Sequence, residues 1–220
     1  MSQRKSKPWW WAATVPAIAT MIAASSSIMV HAYRPLSVYS AERSAPNKPV
    51  TFDFRYNIDN EQYHRAATVK LDSISQIERS EFDEGHQKAL TWDPPELNEN
   101  TETFKATVLW QANPETPLDG CHVRLSNAEG LEHPVSFALS PQERADEIDL
   151  YSFSTCEPKG AFGPTAIDPF DLKSHILPEP SPRPNEWEMT FYFMTNKGFQ
   201  PKELVITWNG PYEVRLVSDS

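Results

Sequence analysis

Apolar and polar residues alternate along most of the chain after Pro49. Val50, Phe52, Phe54 and Tyr56 alternate with Thr51, Asp53 and Arg55, the period-two pattern of a strand with one buried face. The pattern returns at Ala67-Val69-Leu71, Phe104-Ala106-Val108-Trp110, Val123-Leu125, Val135-Phe137-Leu139 and Ile148-Leu150. It closes with Trp187-Met189-Phe191-Phe193, Leu204 to Trp208, and Tyr212-Val214-Leu216. Asn209-Gly210 separates the last two runs, and Asn-Gly between alternating runs predicts a tight hairpin. About nine strands are expected and no long amphipathic helix. Residues 75–90 carry only a weak helical spacing of Ile77, Phe82 and Leu90. Ser140-Pro141-Gln142-Glu143 has the form of a capping box with Pro at the first helical position.

Before the alternation begins, the chain reads differently. Trp9 to Val30 runs 22 residues without a charge. As a helix it would be roughly 33 Å long, enough for a hydrocarbon core of about 30 Å. Trp9, Trp10 and Trp11 suit one interface and Tyr33 the other, while Arg4, Lys5 and Lys7 precede the run. The expectation is a cytoplasmic tail over 1–8, a transmembrane helix over 9–30, a Pro- and Ser-containing stalk over 31–49, and an outer domain over 50–220. The localisation that follows is the cell membrane, single-pass, with the C-terminal domain outside. A cleaved signal peptide is the competing reading, with Val30-His31-Ala32 as a small-residue cleavage site. Either way the bulk of the chain leaves the cytoplasm.

That compartment changes the meaning of the two cysteines. Cys121 and Cys156 are the whole complement, and in an oxidising space the simplest use of a lone pair is one disulfide. Closing a loop of about 36 residues would stabilise by roughly 3–4 kcal/mol in the chain-entropy description. Short strands, Pro-rich turns and a disulfide of the intersheet type together predict an all-β fold, an antiparallel immunoglobulin-like β-sandwich.

Charge then narrows the function. The chain carries −10, and Arg4, Lys5 and Lys7 are the only charges of residues 1–33, so the other 187 residues carry −13. Such a surface repels polyphosphate, and no nucleic-acid partner is expected. Residues 78–102 hold eight acids, Glu81, Asp83 and Glu84 among them, against Arg79 and Lys88. That acidic segment reads as a docking surface for a basic partner or as a solvated face. Pro178, Pro180, Pro182 and Pro184 alternate in LPEPSPRP, a stiff extended arm able to lie across a partner. Trp92 lies outside any clear strand and is the aromatic singled out as a contact residue; Trp110, Trp187 and Trp208 sit within strands and are expected in the core.

No reaction is written in the remaining residues. His64, His86, His122, His133 and His175 lack metal-ligand spacing. No Gly-x-Ser-x-Gly elbow occurs. Asp146, Glu147 and Asp149 cluster in sequence, which alone defines no carboxylate pair for hydrolysis. No catalytic activity, cofactor or metal is expected.

The RKSKPWWW start at residues 4–11 with its apolar run, the Cys121/Cys156 pair and the closing ELVITWNGPYEVRL over 203–216 resemble the envelope proteins of Actinobacteria with an outer immunoglobulin-like or telokin-like domain. The layout is also similar to that of accessory subunits of membrane complexes, including those on actinobacterial respiratory supercomplexes. With that layout, the apolar helix, the proline arm and the acidic segment lead to the expectation of a non-catalytic subunit in the bilayer that docks on and stabilises other membrane-protein subunits. The resemblance assigns no functional residue. The alternatives are an envelope module binding a sugar, peptide or ion, and a secreted protein released by signal-peptide cleavage.

Overall fold

The computed structural model describes residues 40–58, 61–90, 93–95, 97–142, 155–161, 163–164, 182–208 and 212–219. Their alternating segments form strands β1 (Ser40–Arg43), β2 (Val50–Ile58), β3 (Glu61–Ile77), β4 (Thr101–Gln111), β5 (His122–Asn127), β6 (Glu132–Leu139), β7 (Glu186–Asn196), β8 (Pro201–Thr207) and β9 (Tyr212–Val217). Among the described residues one helix, α1, spans Arg79–Ala89.

These strands do not make two separate antiparallel layers. They form one nine-stranded sheet in the order β1-β9-β8-β5-β6-β7-β4-β3-β2. The β1–β9 pair is parallel, which makes the sheet mixed. Strand β6 pairs with β5 through Glu132 to Pro134 and with β7 through Val135 to Leu139, so hydrogen bonding runs unbroken through it. The immunoglobulin-like sandwich is therefore corrected to a nearly closed, barrel-like sheet. Alternation could not separate the two, because both bury one face of every strand.

The curl has local causes. Ladders shift register at Asp72 in β3, at Ser136 in β6 and at Lys202 in β8, opposite Ser126 and Asn127; an extra residue bends a strand and tightens its twist. The two edge strands, β1 and β2, are consecutive in the chain and touch. The turn between them is tied to β9: Ser44 N donates to Arg215 O at 2.9 Å, Asn47 N to Val217 O at 3.1 Å, and Val217 N to Ser44 Oγ at 2.9 Å. Residues 40–49, read from the sequence as the end of a stalk, thus carry β1 and the turn into β2. Side chains span the remaining seam. Phe54 stacks on Tyr212 with centroids 4.5 Å apart, and Tyr212 Oη donates to Arg55 O at 2.8 Å.

The inward face of every long strand feeds one core. Phe52, Val69, Leu71, Val108, Trp110, Leu125, Phe191, Phe193, Leu204, Ile206 and Leu216 are buried there. Trp110 stacks on Trp187 at 5.7 Å and meets Trp208 edge-on at 6.5 Å. The barrel is thus filled by side chains, as a barrel of this girth must be when it holds no ligand.

One end is plugged by the loop over 112–121. Leu118 drops from it into the core, fully buried. Two buried arginines clamp the loop's carbonyls. Arg65 donates to Pro117 O and Asp119 O, both at 3.1 Å, and its guanidinium lies over Trp208. Arg183 donates to Asn113 O at 2.8 Å and Thr116 O at 2.7 Å, lies over Trp187, and forms an ion pair with buried Glu157. Burial pulls the Arg183 pKa down, and Glu157 acts against that shift. Gly163 donates its N–H to Glu157 at 3.1 Å; a Cβ there would lie 2.8 Å from the Arg183 guanidinium. Cys121 and Cys156 are disulfide-bonded across the same end, with Cα atoms 5.9 Å apart. The bond exists as expected, but it ties the plug to the loop at 155–161 rather than strand to strand.

Helix α1 covers part of the outer wall. Phe82, His86 and Ala89 are buried on it. Phe82 meets Phe137 edge-on at 5.0 Å, and Phe137 stacks on Tyr192 at 4.5 Å. Gly85 permits this approach, since a Cβ there would lie 3.1 Å from both rings. Packing rather than periodicity makes the helix. Among the described residues no helix is long and apolar enough to cross a membrane. The expected tail over 1–8 and span over 9–30 lie outside the described residues. The expectation of a single-pass membrane localisation thus finds no support in the fold and is corrected to that extent.

Replacing Arg183 by Met leaves Glu157 as an unpaired buried carboxylate, and breaking one side of such a pair typically removes about 3–5 kcal/mol. Urea unfolding should show a loss of that size; a change under about 1 kcal/mol would show that the clamp adds little. Alkaline pH tests the helix contact. Burial raises the Tyr192 phenol above 10.0, and the hydrogen bond from Lys105 to Glu81 raises Lys105 above 10.5. Both groups lose their proton first in the unfolded chain, so their stability is intact below those values and falls as pH rises through the folded ones. Urea midpoints between about pH 8 and pH 11 should fall above about pH 10, and less steeply in Tyr192→Phe. Parallel curves for the two proteins would remove Tyr192 as a cause.

Candidate functional site

Above the helix-covered region, the outward face of β3, β4 and β7 is open. An open groove of about 580 Å3 lies there, lined by Pro49, Thr68, Lys70, Leu109, Gln111 and, from the far side, Gln142, Glu186 and Glu188, with the buried Trp110 and Trp187 reaching its base. Register arranges these side chains in two rows across the strands. Lys70 pairs with Leu109 and Leu109 with Glu188; Thr68 pairs with Gln111 and Gln111 with Glu186. Leu109 is 39% exposed in the middle of the first row, one of two large apolar side chains this open among the described residues.

The groove's floor is stiff for reasons beneath it. Leu109 and Gln111 flank Trp110 on β4, and Glu186 and Glu188 flank Trp187 on β7. The inward stack of those two tryptophans fixes the two strands against each other. Gln111 Nε2 donates to Glu186 Oε1 at 3.1 Å. Strand β6 stops pairing with β7 at Leu139↔Thr190. Beyond that point the Gln142 side chain takes its place, with Glu188 N donating to Gln142 Oε1 at 3.2 Å. Ser140 Oγ accepts from Gln142 N at 3.2 Å within a turn; the capping box expected there needs Glu143, which lies outside the described residues. Among the described residues Lys70 and Glu188 form no ion pair.

Of the candidate contact residues singled out by sequence, none that is described lines this groove. Trp92, Pro178 and Pro180 lie outside the described residues, as do Asp146, Glu147, Asp149 and His175. Pro182 is exposed and Pro184 half-buried, on either side of the clamped Arg183. Glu81 is ion-paired with Lys105 on β4, Asp83 with Arg79 one turn earlier, and Glu84 is exposed. Trp110, Trp187 and Trp208 are buried, so none of the three offers a ring face to a sugar. Among the described residues no group of three His, Cys, Asp or Glu side chains is placed to hold a metal ion.

No protein-family model, curated protein or solved structure matches the chain.

The polar groove residues on β3, β4 and β7 went unread because each occupies an outward position of an alternating strand. One signal was present. Leu109 is apolar at an outward position, between Val108 and Trp110 that both point in. Among the described groove residues no hydroxyl is hydrogen-bonded to a base, since Thr68 Oγ1 meets Thr51 Oγ1 at 2.8 Å. What the groove offers is recognition: an apolar centre with hydrogen-bonding amides beside it and opposite charges at its flanks.

Proposed function

We propose that this chain is a non-catalytic ligand-binding module of an oxidising, extracytoplasmic compartment, and that its ligand is an extended peptide segment held in the groove over Leu109. The exposed Leu109 between Lys70 and Glu188, on strands fixed by the buried tryptophan stack, carries the reading. Amide side chains at Gln111 and Gln142 suit a ligand rich in peptide groups. A sugar is less well served, since the tryptophans beneath the groove turn inward. The Cys121–Cys156 bond supports an oxidising compartment. Docking on a larger membrane complex rested on the apolar run over 9–30, which lies outside the described residues, on the acidic segment and on the proline arm. Glu81 and Asp83 are paired within the chain, and Arg183 anchors the arm's end to its own barrel, which leaves those features less to offer a partner.

Panning a random displayed-peptide library on the folded domain tests this. Enriched peptides are expected to bind about tenfold more weakly to Leu109→Asp, as loss of roughly half a buried leucine implies, with the thermal midpoint unchanged. No enrichment over background, or peptides indifferent to Leu109→Asp, would refute the groove as a peptide site.

A further inference from the structure

The row Lys70–Leu109–Glu188 has a polarity that the groove's shape alone does not convey. Neighbouring strands lie about 4.8 Å apart, so the Lys70 and Glu188 backbones are about 10 Å apart with Leu109 midway. Register, not flexible loops, sets this order. On the β7 side Glu186 adds a second carboxylate one row away. On the β3 side Thr68 is the neutral neighbour of Lys70. The groove therefore presents negative charge at one flank, an apolar centre, and positive charge at the other. Neither Lys70 nor Glu188 is neutralised by an ion pair among the described residues.

Resting on the reading of the groove as a peptide site, the geometry points to a ligand with a basic residue, an apolar residue and an acidic residue at alternate positions of an extended strand. Side chains at alternate positions share one face and span about 13 Å over five residues. That length reaches both flanks once the long Lys70 and Glu188 side chains lean outward. The apolar residue covers Leu109. The basic one meets Glu188 with Glu186 nearby, and the acidic one meets Lys70. A peptide carrying the same charge at both ends places one of them against a like charge, which is unfavourable.

Three fluorescein-labelled pentapeptides with blocked termini test the polarity: Lys-Ser-Leu-Ser-Glu, Lys-Ser-Leu-Ser-Lys and Glu-Ser-Leu-Ser-Glu. Binding is read by fluorescence anisotropy at low salt, where surface charges are least screened. The mixed-charge peptide is expected to bind best, by about fivefold, the scale of one exposed ion pair. Lys70→Glu should move first place to the peptide with two lysines, and Glu188→Lys to the peptide with two glutamates. Equal binding of all three to the native protein, or a ranking unmoved by both variants, overturns the polarity while peptides that still respond to Leu109→Asp leave the groove reading intact. If none of the three binds and library panning also yields nothing, both fall together.

Discussion

A sheet that curls on itself must seal its open ends, and at one end of this barrel the seal hangs on two buried guanidinium groups. The plug over 112–121 carries backbone carbonyls that no strand pairs. Arg65 and Arg183 satisfy four of them, at Pro117 and Asp119 and at Asn113 and Thr116. Each arginine lies on a tryptophan from the core, so the same side chain spans from the apolar interior to the polar loop. That use exploits the planar guanidinium, which offers a flat face to a ring and a fork of donors at its edge. Lysine in either position would lose both. Leu118 depends on this clamp to stay in the core, and Trp208 returns the favour by donating its indole N–H to Leu118 O at 3.1 Å.

How much of this was legible in the sequence differs by element. Strands β2, β4, β7, β8 and β9 follow their alternation, with Phe52 and Phe54, Val108 and Trp110, Met189 and Phe191 all inward as the period requires. Strand β6 shows where period-two reading fails. Val135, Phe137 and Leu139 look like one buried face, but the irregularity at Ser136 turns Phe137 and Leu139 outward toward α1, while Val135 and Ala138 face the core. One extra residue inverts everything after it. The helix was faint for a related reason: half of its buried face is Gly85 and His86, which carry little apolar signal.

Closure was not legible at all. Whether the edges of a sheet meet depends on the sum of small twists and bulges, and on a β1 of only four residues that pairs parallel to β9. No single residue announces it. The acidic segment over 78–102 misled in another way. Counting charge gives a bare acidic patch, but Lys105, opposite Tyr192 in the β4–β7 ladder, reaches Glu81, and Arg79 holds Asp83. Sequence counts charges; only the fold decides which of them are already spent on each other.

The plug and the groove are parts of one mechanical unit, and this explains why a shallow groove can discriminate. Arg183 lies over Trp187, whose indole N–H donates to Cys156 O at 2.9 Å, so the disulfide-tied loop and the clamp both hold the same ring. That ring in turn stacks on Trp110. The residues that point the other way from these two tryptophans are Leu109, Gln111, Glu186 and Glu188. Any rearrangement of the groove rows would have to unstack a buried aromatic pair inside a filled barrel. A surface fixed in this way loses little conformational entropy on binding, so weak exposed contacts, each worth at most about 1 kcal/mol, can still rank one charge pattern above another. Polarity is better recorded on such strands than on loops, because β3, β4 and β7 hold Lys70 and Glu188 in register on either side of Leu109 whether or not a ligand is present.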